Sequence, residues 1–173
     1  MAITTPKSAF LKGALDGAPF ILVIVPFASL FGLLATEAGL SVVETLVFSV
    51  AVIAGAAQFT ALQLMQENAP TIIVLASALA VNLRMAMYSA SLQPHLGTAP
   101  LWQRVLIAYI NVDASYAISI QKFEDTPKMT VREKVAYFTG TIIVMAPLWV
   151  LGSFIGAKLG SAIPQSIALD FAM

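Results

Sequence analysis

Five long apolar stretches constrain this chain more than any other feature. They occupy residues 18–38, 42–65, 69–92, 100–120 and 135–159. A helix needs about 20 apolar residues to cross about 30 Å of hydrocarbon, and each stretch is that long. Backbone N–H and C=O groups in lipid must bond within their own segment, so such stretches fold as helices. Only 10% of the residues are charged, against about 25% in a soluble domain that must build a wet surface. The expected fold is all-α: a polytopic integral membrane bundle of about five transmembrane helices, some kinked or interrupted. It forms one transmembrane domain over residues 1–173.

Turn chemistry separates the stretches at 39–41, 67–70 and 93–100, and a longer polar segment covers 121–134. The first stretch is too long for a signal-peptide core and is expected to stay as the first helix. Residues 161–173 turn apolar again near residue 166. That segment is either the start of a sixth span, in a chain shortened at its C-terminus, or a helix lying on the membrane surface. The sequence carries no low-complexity region and no visible internal repeat.

Lys7 and Lys12 precede the first span, and Lys122, Lys128, Arg132 and Lys134 follow the fourth. If the spans alternate, both groups share a side, with Arg104 opposite and Lys158 at the end of span five. Basic residues favour the cytoplasmic face, so the N-terminus is expected there.

Several chemistries are excluded or disfavoured. There is no cysteine and only one histidine, His95, so thiolate, iron–sulfur and histidine-cluster metal chemistry have no donors. His95, beside Pro94, is expected in a solvated loop. Phosphate-binding glycine loops and hydrolase signatures are missing, so no cofactor and no enzymatic activity are expected. The net charge is zero, which gives nucleic acid nothing to bind.

The remaining information lies in polar groups at membrane depth, which are costly there unless paired or used. Span three contains Asn82 and Arg84; span four contains Asn111, Asp113, Ser115 and Tyr116. Taken as neighbouring antiparallel helices, the two spans place Arg84 and Asp113 at depths about 7–8 Å apart, within reach of a long arginine. The pair is either a neutral clamp between helices or part of a water-filled passage. Ser77, Arg84, Tyr88 and Ser91 form one helical stripe; Tyr109, Asp113, Tyr116 and Ile120 form another, beside Asn111, Ser115 and Ser119. In span two, the run 54–59 (AGAAQF) allows close helix packing through its small residues. Alternatively, Gly55 breaks the helix and exposes backbone beside Gln58. Pro26 and Pro147 are expected to kink or interrupt spans one and five.

Four blocks together, 17–39 (GAPFILVIVPFASLFGLLATEAG), 49–59 (SVAVIAGAAQF), 81–96 (VNLRMAMYSASLQPHL) and 111–117 (NVDASYA), resemble the AzlC/YgaZ family of branched-chain amino-acid permeases. The resemblance implies a secondary transporter exporting valine, leucine and isoleucine across the bacterial inner membrane. It implies work with a small AzlD/YgaH-type membrane partner; a homo-oligomer is the other assembly considered. By position it carries over Gln58, Asn82, Arg84 and Asp113; with Asn111 and Tyr116 these are the candidate substrate-binding residues. Two positions depart from the family pattern: Met85 stands where histidine is common, and Ala114 where a second carboxylate is common. The alternative is a membrane subunit that does not transport by itself.

Overall fold

The structure, a computed structural model, describes residues 5–162. Helices account for the ordered elements among these residues: α1 Pro6–Gly17, a 3₁₀ turn Ala18–Phe20, α2 Ile21–Glu37, α3 Val42–Ala51, α4 Gly55–Gln66, α5 Thr71–Leu96, α6 Leu101–Ile110, α7 Asp113–Asp125 and α8 Val131–Ala162. Thr5 and Ser8 cap α1 reciprocally, with Pro6 in its first turn. The expected sixth apolar segment near residue 166 lies outside the described residues.

The protein is an all-α membrane bundle. Three helical segments are long and apolar enough to cross a bilayer: Pro6–Glu37, Thr71–Leu96 and Val131–Ala162. The stretches 42–65 and 100–120 differ from the expectation of single spans. Each is a pair of short helices, of 10 and 12 residues for α3 and α4, and of 10 and 13 residues for α6 and α7. Such legs are about 15–20 Å long, roughly half a bilayer's hydrocarbon depth. The interruptions do not fall at proline. Pro26 and Pro147 sit inside continuous α2 and α8.

The chain divides into two compact units. One comprises Val23–Asn82 and Leu148–Met173. There the turn after α2 passes through Gly39, whose φ of +89° only glycine adopts freely. The Gly39 and Leu40 N–H groups donate back to the Thr36 and Ala35 carbonyls, closing the last turn. Ser41 then caps α3 in a reciprocal pair with Glu44. Phe27 and Phe31 in α2 both meet Phe59 in α4, and Leu62, one turn later in α4, packs with Ala35. α4 therefore runs in the direction of α2, while α3, following a tight turn, runs against both. The two form a hairpin with its tip at 52–54. The second half of α8 lies against α2 through small residues. A Cβ on Gly32 would collide with the Ser153 carbonyl, and one on Gly156 with the Ser29 carbonyl. Close backbone approach of this kind is how helices pack tightly in lipid.

The other unit comprises Met1–Leu22 and Leu83–Pro147. Gly13 of α1 and Gly140 of α8 leave no room for a Cβ against the Tyr137 and Phe10 carbonyls, respectively. Between α5 and α7 the contacts climb in step: Tyr88 with Asp113, Ser91 with Tyr116, His95 with Phe123. The two helices are therefore parallel, and α6, entered by a short turn from α5, runs against both. Ala9, Leu96, Phe123, Met129 and Tyr137 share one buried cluster. The start of α1, the ends of α5 and α7 and the start of α8 thus meet at one end of this unit. α6 leaves that end, and α7 returns to it from a tip at 111–112.

Candidate functional site

Interrupted helices expose backbone groups that lipid cannot satisfy, so the hairpin tips are the first places to inspect. At the α3–α4 tip, Ala54 is extended and Val52, with φ −122° and ψ 87°, is not helical. Gln58 is fully buried there. Its Nε2 donates to the Val52 carbonyl at 2.6 Å, and more weakly to the Phe48 carbonyl at 3.5 Å. A side chain from α4 thus satisfies the carbonyl end of α3. The Gln58 Oε1 and the indole Nε1 of Trp149 are buried without a hydrogen-bond partner among the described residues. Trp149 and Phe27 close over Gly55, where a Cβ would come within 3.0 and 3.3 Å of their rings. Of the two expectations for the 54–59 run, the break is the one seen: the helix stops just before Gly55, whose neighbours are aromatic side chains and not another backbone.

At the α6–α7 tip, Asn111 and Val112 are extended. The Ser115 hydroxyl accepts the Val112 N–H at 3.0 Å and donates to the Val112 carbonyl at 2.9 Å. Asn111 is 1% exposed, and neither its Oδ1 nor its Nδ2 has a partner among the described residues. The buried Ser119 hydroxyl and the Arg84 Nε share that condition.

Arg84 and Asp113 meet as expected, with Nη1 3.1 Å from Oδ1. The route differs from the antiparallel one the sequence implied. Asp113 opens α7, which runs parallel to α5, and the fold-back at the tip brings it level with Arg84. The Tyr88 hydroxyl donates to the same Oδ1 at 2.8 Å. Tyr88 stacks on Tyr116 with ring centroids 4.2 Å apart, and the Tyr116 hydroxyl donates to Ser91 Oγ at 2.9 Å. The result is a polar strip of Arg84, Tyr88, Ser91, Asp113 and Tyr116. The strip is open on one side: the Arg84 and Asp113 side chains are 29% and 51% exposed. Tyr88 and Ser91 become visible as site residues only once α5 and α7 are known to be in register, although their spacing from Arg84 was apparent.

Of the remaining candidates, Asn82 lies on α5 with a buried, unpaired Oδ1, in the same unit as Gln58. Arg84, Asn111, Asp113 and Tyr116 belong to the other unit. His95 is not in a loop; it lies in the last turn of α5. Its Nδ1 is 3.1 Å from Lys134 Nζ, which lies over the Phe123 ring. Among the described residues, no group of three or more acidic, histidine or cysteine side chains is placed to hold a metal ion.

Long apolar helices, two helical hairpins interrupted within apolar sequence, and polar side chains gathered beside the interruptions define a polytopic membrane protein. The chain matches the AzlC protein family over residues 19–163 and belongs to it. It is similar to the inner membrane protein YgaZ of Escherichia coli (strain K12), 28% identical over 167 residues, covering 92% of this chain and 65% of the relative. An uncharacterized membrane protein of Archaeoglobus fulgidus is 28% identical over 158 residues, covering 91% of this chain and 66% of that protein. One of Helicobacter pylori (strain 26695) is 28% identical over 156 residues, with 88% and 66% covered. The chain thus spans 65–66% of the length of these relatives. No solved structure matches it.

Proposed function

We propose that this chain forms the substrate-handling part of a secondary transporter that exports branched-chain amino acids across the bacterial inner membrane. The observation that carries the reading is the pair of interrupted hairpins. Each follows a long apolar helix in chain order, α3–α4 after α2 and α6–α7 after α5. Paired interruptions at corresponding positions of two halves are the usual pointer to a transporter's binding site. Non-helical backbone at membrane depth is tolerated where it is buried in protein or lines water. The half-exposed ion pair of Arg84 and Asp113 supports the same view, because a charge facing hydrocarbon is expensive and a charge facing a wet passage is not.

The proposed site residues are Gln58, Asn82, Arg84, Asn111, Asp113 and Tyr116. A branched-chain amino acid offers a carboxylate, an ammonium and an aliphatic side chain. Polar groups such as Arg84, Asn111 and Asp113 suit the first two, and an apolar wall suits the third. An apolar pocket separates homologues differing by one methylene by about 1–3 kcal/mol, so overlapping use of valine, leucine and isoleucine follows.

The inner-membrane assignment draws on membership of the AzlC family and on the similarity to an inner membrane protein of E. coli. A cytoplasmic N-terminus draws on charge. Lys7, Lys12, Arg104, Lys122, Lys128, Arg132 and Lys134 all lie on the segments that gather at one end of their unit. The fold-back moves Arg104 to join the others, so the asymmetry exceeds the one counted from alternating spans. A small membrane partner of the AzlD/YgaH type is the proposed companion.

The test is efflux of preloaded labelled valine from cells producing this chain with and without that partner. Faster efflux than in cells lacking the chain supports the reading. Efflux unchanged in both arms, with the protein correctly inserted, overturns it in favour of a subunit that does not transport.

A further inference from the structure

Among the buried polar groups, Asn111 is the least satisfied. Its carboxamide is almost wholly buried, yet neither end has a partner among the described residues. Native proteins rarely leave such a group unused, and an orphaned amide at a functional position asks for a missing ligand or water. Its place narrows the choice. Asn111 lies one residue before the N-cap of α7, a helix of 13 residues whose first turn has no side-chain cap. The Val112 N–H is taken by Ser115, but the N–H groups that follow carry the positive end of the helix. Arg84 Nε, on the helix paired with α7, is a further buried donor without a partner.

Unpaired donors gathered at a helix N-terminus fit an anion. The adjacent carboxylate of Asp113 does not cancel the site, because Arg84 Nη1 and the Tyr88 hydroxyl both engage its Oδ1. We infer that the α6–α7 tip is a carboxylate-binding subsite, in which Asn111 Nδ2 and the first N–H groups of α7 hold the α-carboxylate of the amino acid. This assignment rests on the transport reading above, and it gives that site a polarity. The carboxylate lies at Asn111 and the start of α7, and the ammonium lies toward Asp113. Asn111 Oδ1 then accepts from the ammonium or from a water beside it.

The experiment measures thermal unfolding of the purified chain in lipid nanodiscs, followed by the fluorescence of Trp102 and Trp149. The probes are L-valine, isovalerate, which keeps only the carboxylate, and valinamide, which keeps only the ammonium. Valine and isovalerate should raise the melting temperature of the wild type, and valinamide should not. Asn111→Asp should weaken the response to both carboxylates about tenfold to a hundredfold, the range for losing a hydrogen bond to a charged group and gaining a repulsive one. Asn111→Leu should raise the melting temperature of the empty protein, since it removes an unsatisfied amide, and abolish the response. That variant also keeps the test decisive if Asn111→Asp fails to fold.

Valinamide as effective as valine, or an undiminished carboxylate response in Asn111→Leu, overturns the assignment. A wild type that answers to neither carboxylate overturns it as well, while efflux still judges transport separately. A wild type that answers to isovalerate and not to valine supports the subsite and counts against amino acids as cargo.

Discussion

Replacing Asp113 with asparagine isolates one quantity, the charge that balances Arg84. The side chain keeps its size, and the amide oxygen can still accept the Tyr88 hydroxyl, which now stands 2.8 Å from Oδ1. What remains is an arginine without its counter-ion near the middle of a 26-residue apolar helix. The cost depends on what its exposed face meets. Facing hydrocarbon, an unpaired arginine at the centre of a span costs about 2.5–3.5 kcal/mol. Facing water, loss of a partly exposed ion pair costs about 0–1 kcal/mol. The pair's open side and the polar strip continuing through Tyr88, Tyr116 and Ser91 argue for water. Asp113→Asn is therefore expected to lower stability in nanodiscs by under about 1 kcal/mol and to abolish valine efflux. Denaturant unfolding by tryptophan fluorescence, with efflux on the same variant, measures both. A loss near 3 kcal/mol with wild-type efflux would refute the wet passage and leave the pair a clamp between helices.

Gln58→Leu removes the donor on the Val52 carbonyl at 2.6 Å; the orphaned carbonyl should cost about 1–3 kcal/mol of stability, read as a lower unfolding midpoint. Gly156→Ala pushes a methyl into the Ser29 carbonyl. Because the obstacle is backbone, α2 and α8 must separate, at a cost of about 1–3 kcal/mol; an unfolding midpoint equal to wild type would show the packing to be looser than described. The absence of native cysteine makes topology directly measurable. Thr98→Cys and Lys128→Cys should react with a membrane-impermeant maleimide from the same side, since α6 and α7 begin and end together. Labelling from opposite sides would restore a continuous fourth span.

The all-α membrane class was legible because it follows from apolar length alone, and so was the meeting of Arg84 with Asp113. The break before Gly55 was legible as one of two readings, but the fold-back of either hairpin was not. A re-entrant pair and a single span present the same run of apolar residues. The interruptions at 52–54 and 111–112 carry no proline, while the prolines that drew attention, Pro26 and Pro147, sit in unbroken helix. β-branched Val52, Ile53 and Val112 lower helix propensity only by tenths of a kcal/mol, about 0.7 at most per residue. The breaks therefore persist through tertiary partners. Gln58 serves the carbonyl end of α3, and Ser115 serves Val112. Such partners are recognisable only once the chain is known to turn back. The glycines at 152, 156 and 160 are a packing signal that the sequence does carry, at the four-residue spacing of one helix face.

The fold-back also changes what the polar residues mean. In a straight fourth span, Asn111 and Asp113 are neighbours on one helix, and Asn111 would be another interhelical hydrogen bond of about 0.6 kcal/mol. At a hairpin tip, the two lie at the start of α7, whose first N–H groups have no partner within the helix. Asp113 is neutralised by Arg84 and leans toward the open side, while Asn111 is sealed and unsatisfied. At the other tip, the fully buried polar residue, Gln58, turns its amide nitrogen to the backbone of α3. The tips thus differ in their buried amides: Gln58 closes its tip with its amide nitrogen, whereas neither end of the Asn111 amide has a partner among the described residues. That difference makes the α6–α7 tip the stronger place for an exchangeable ligand.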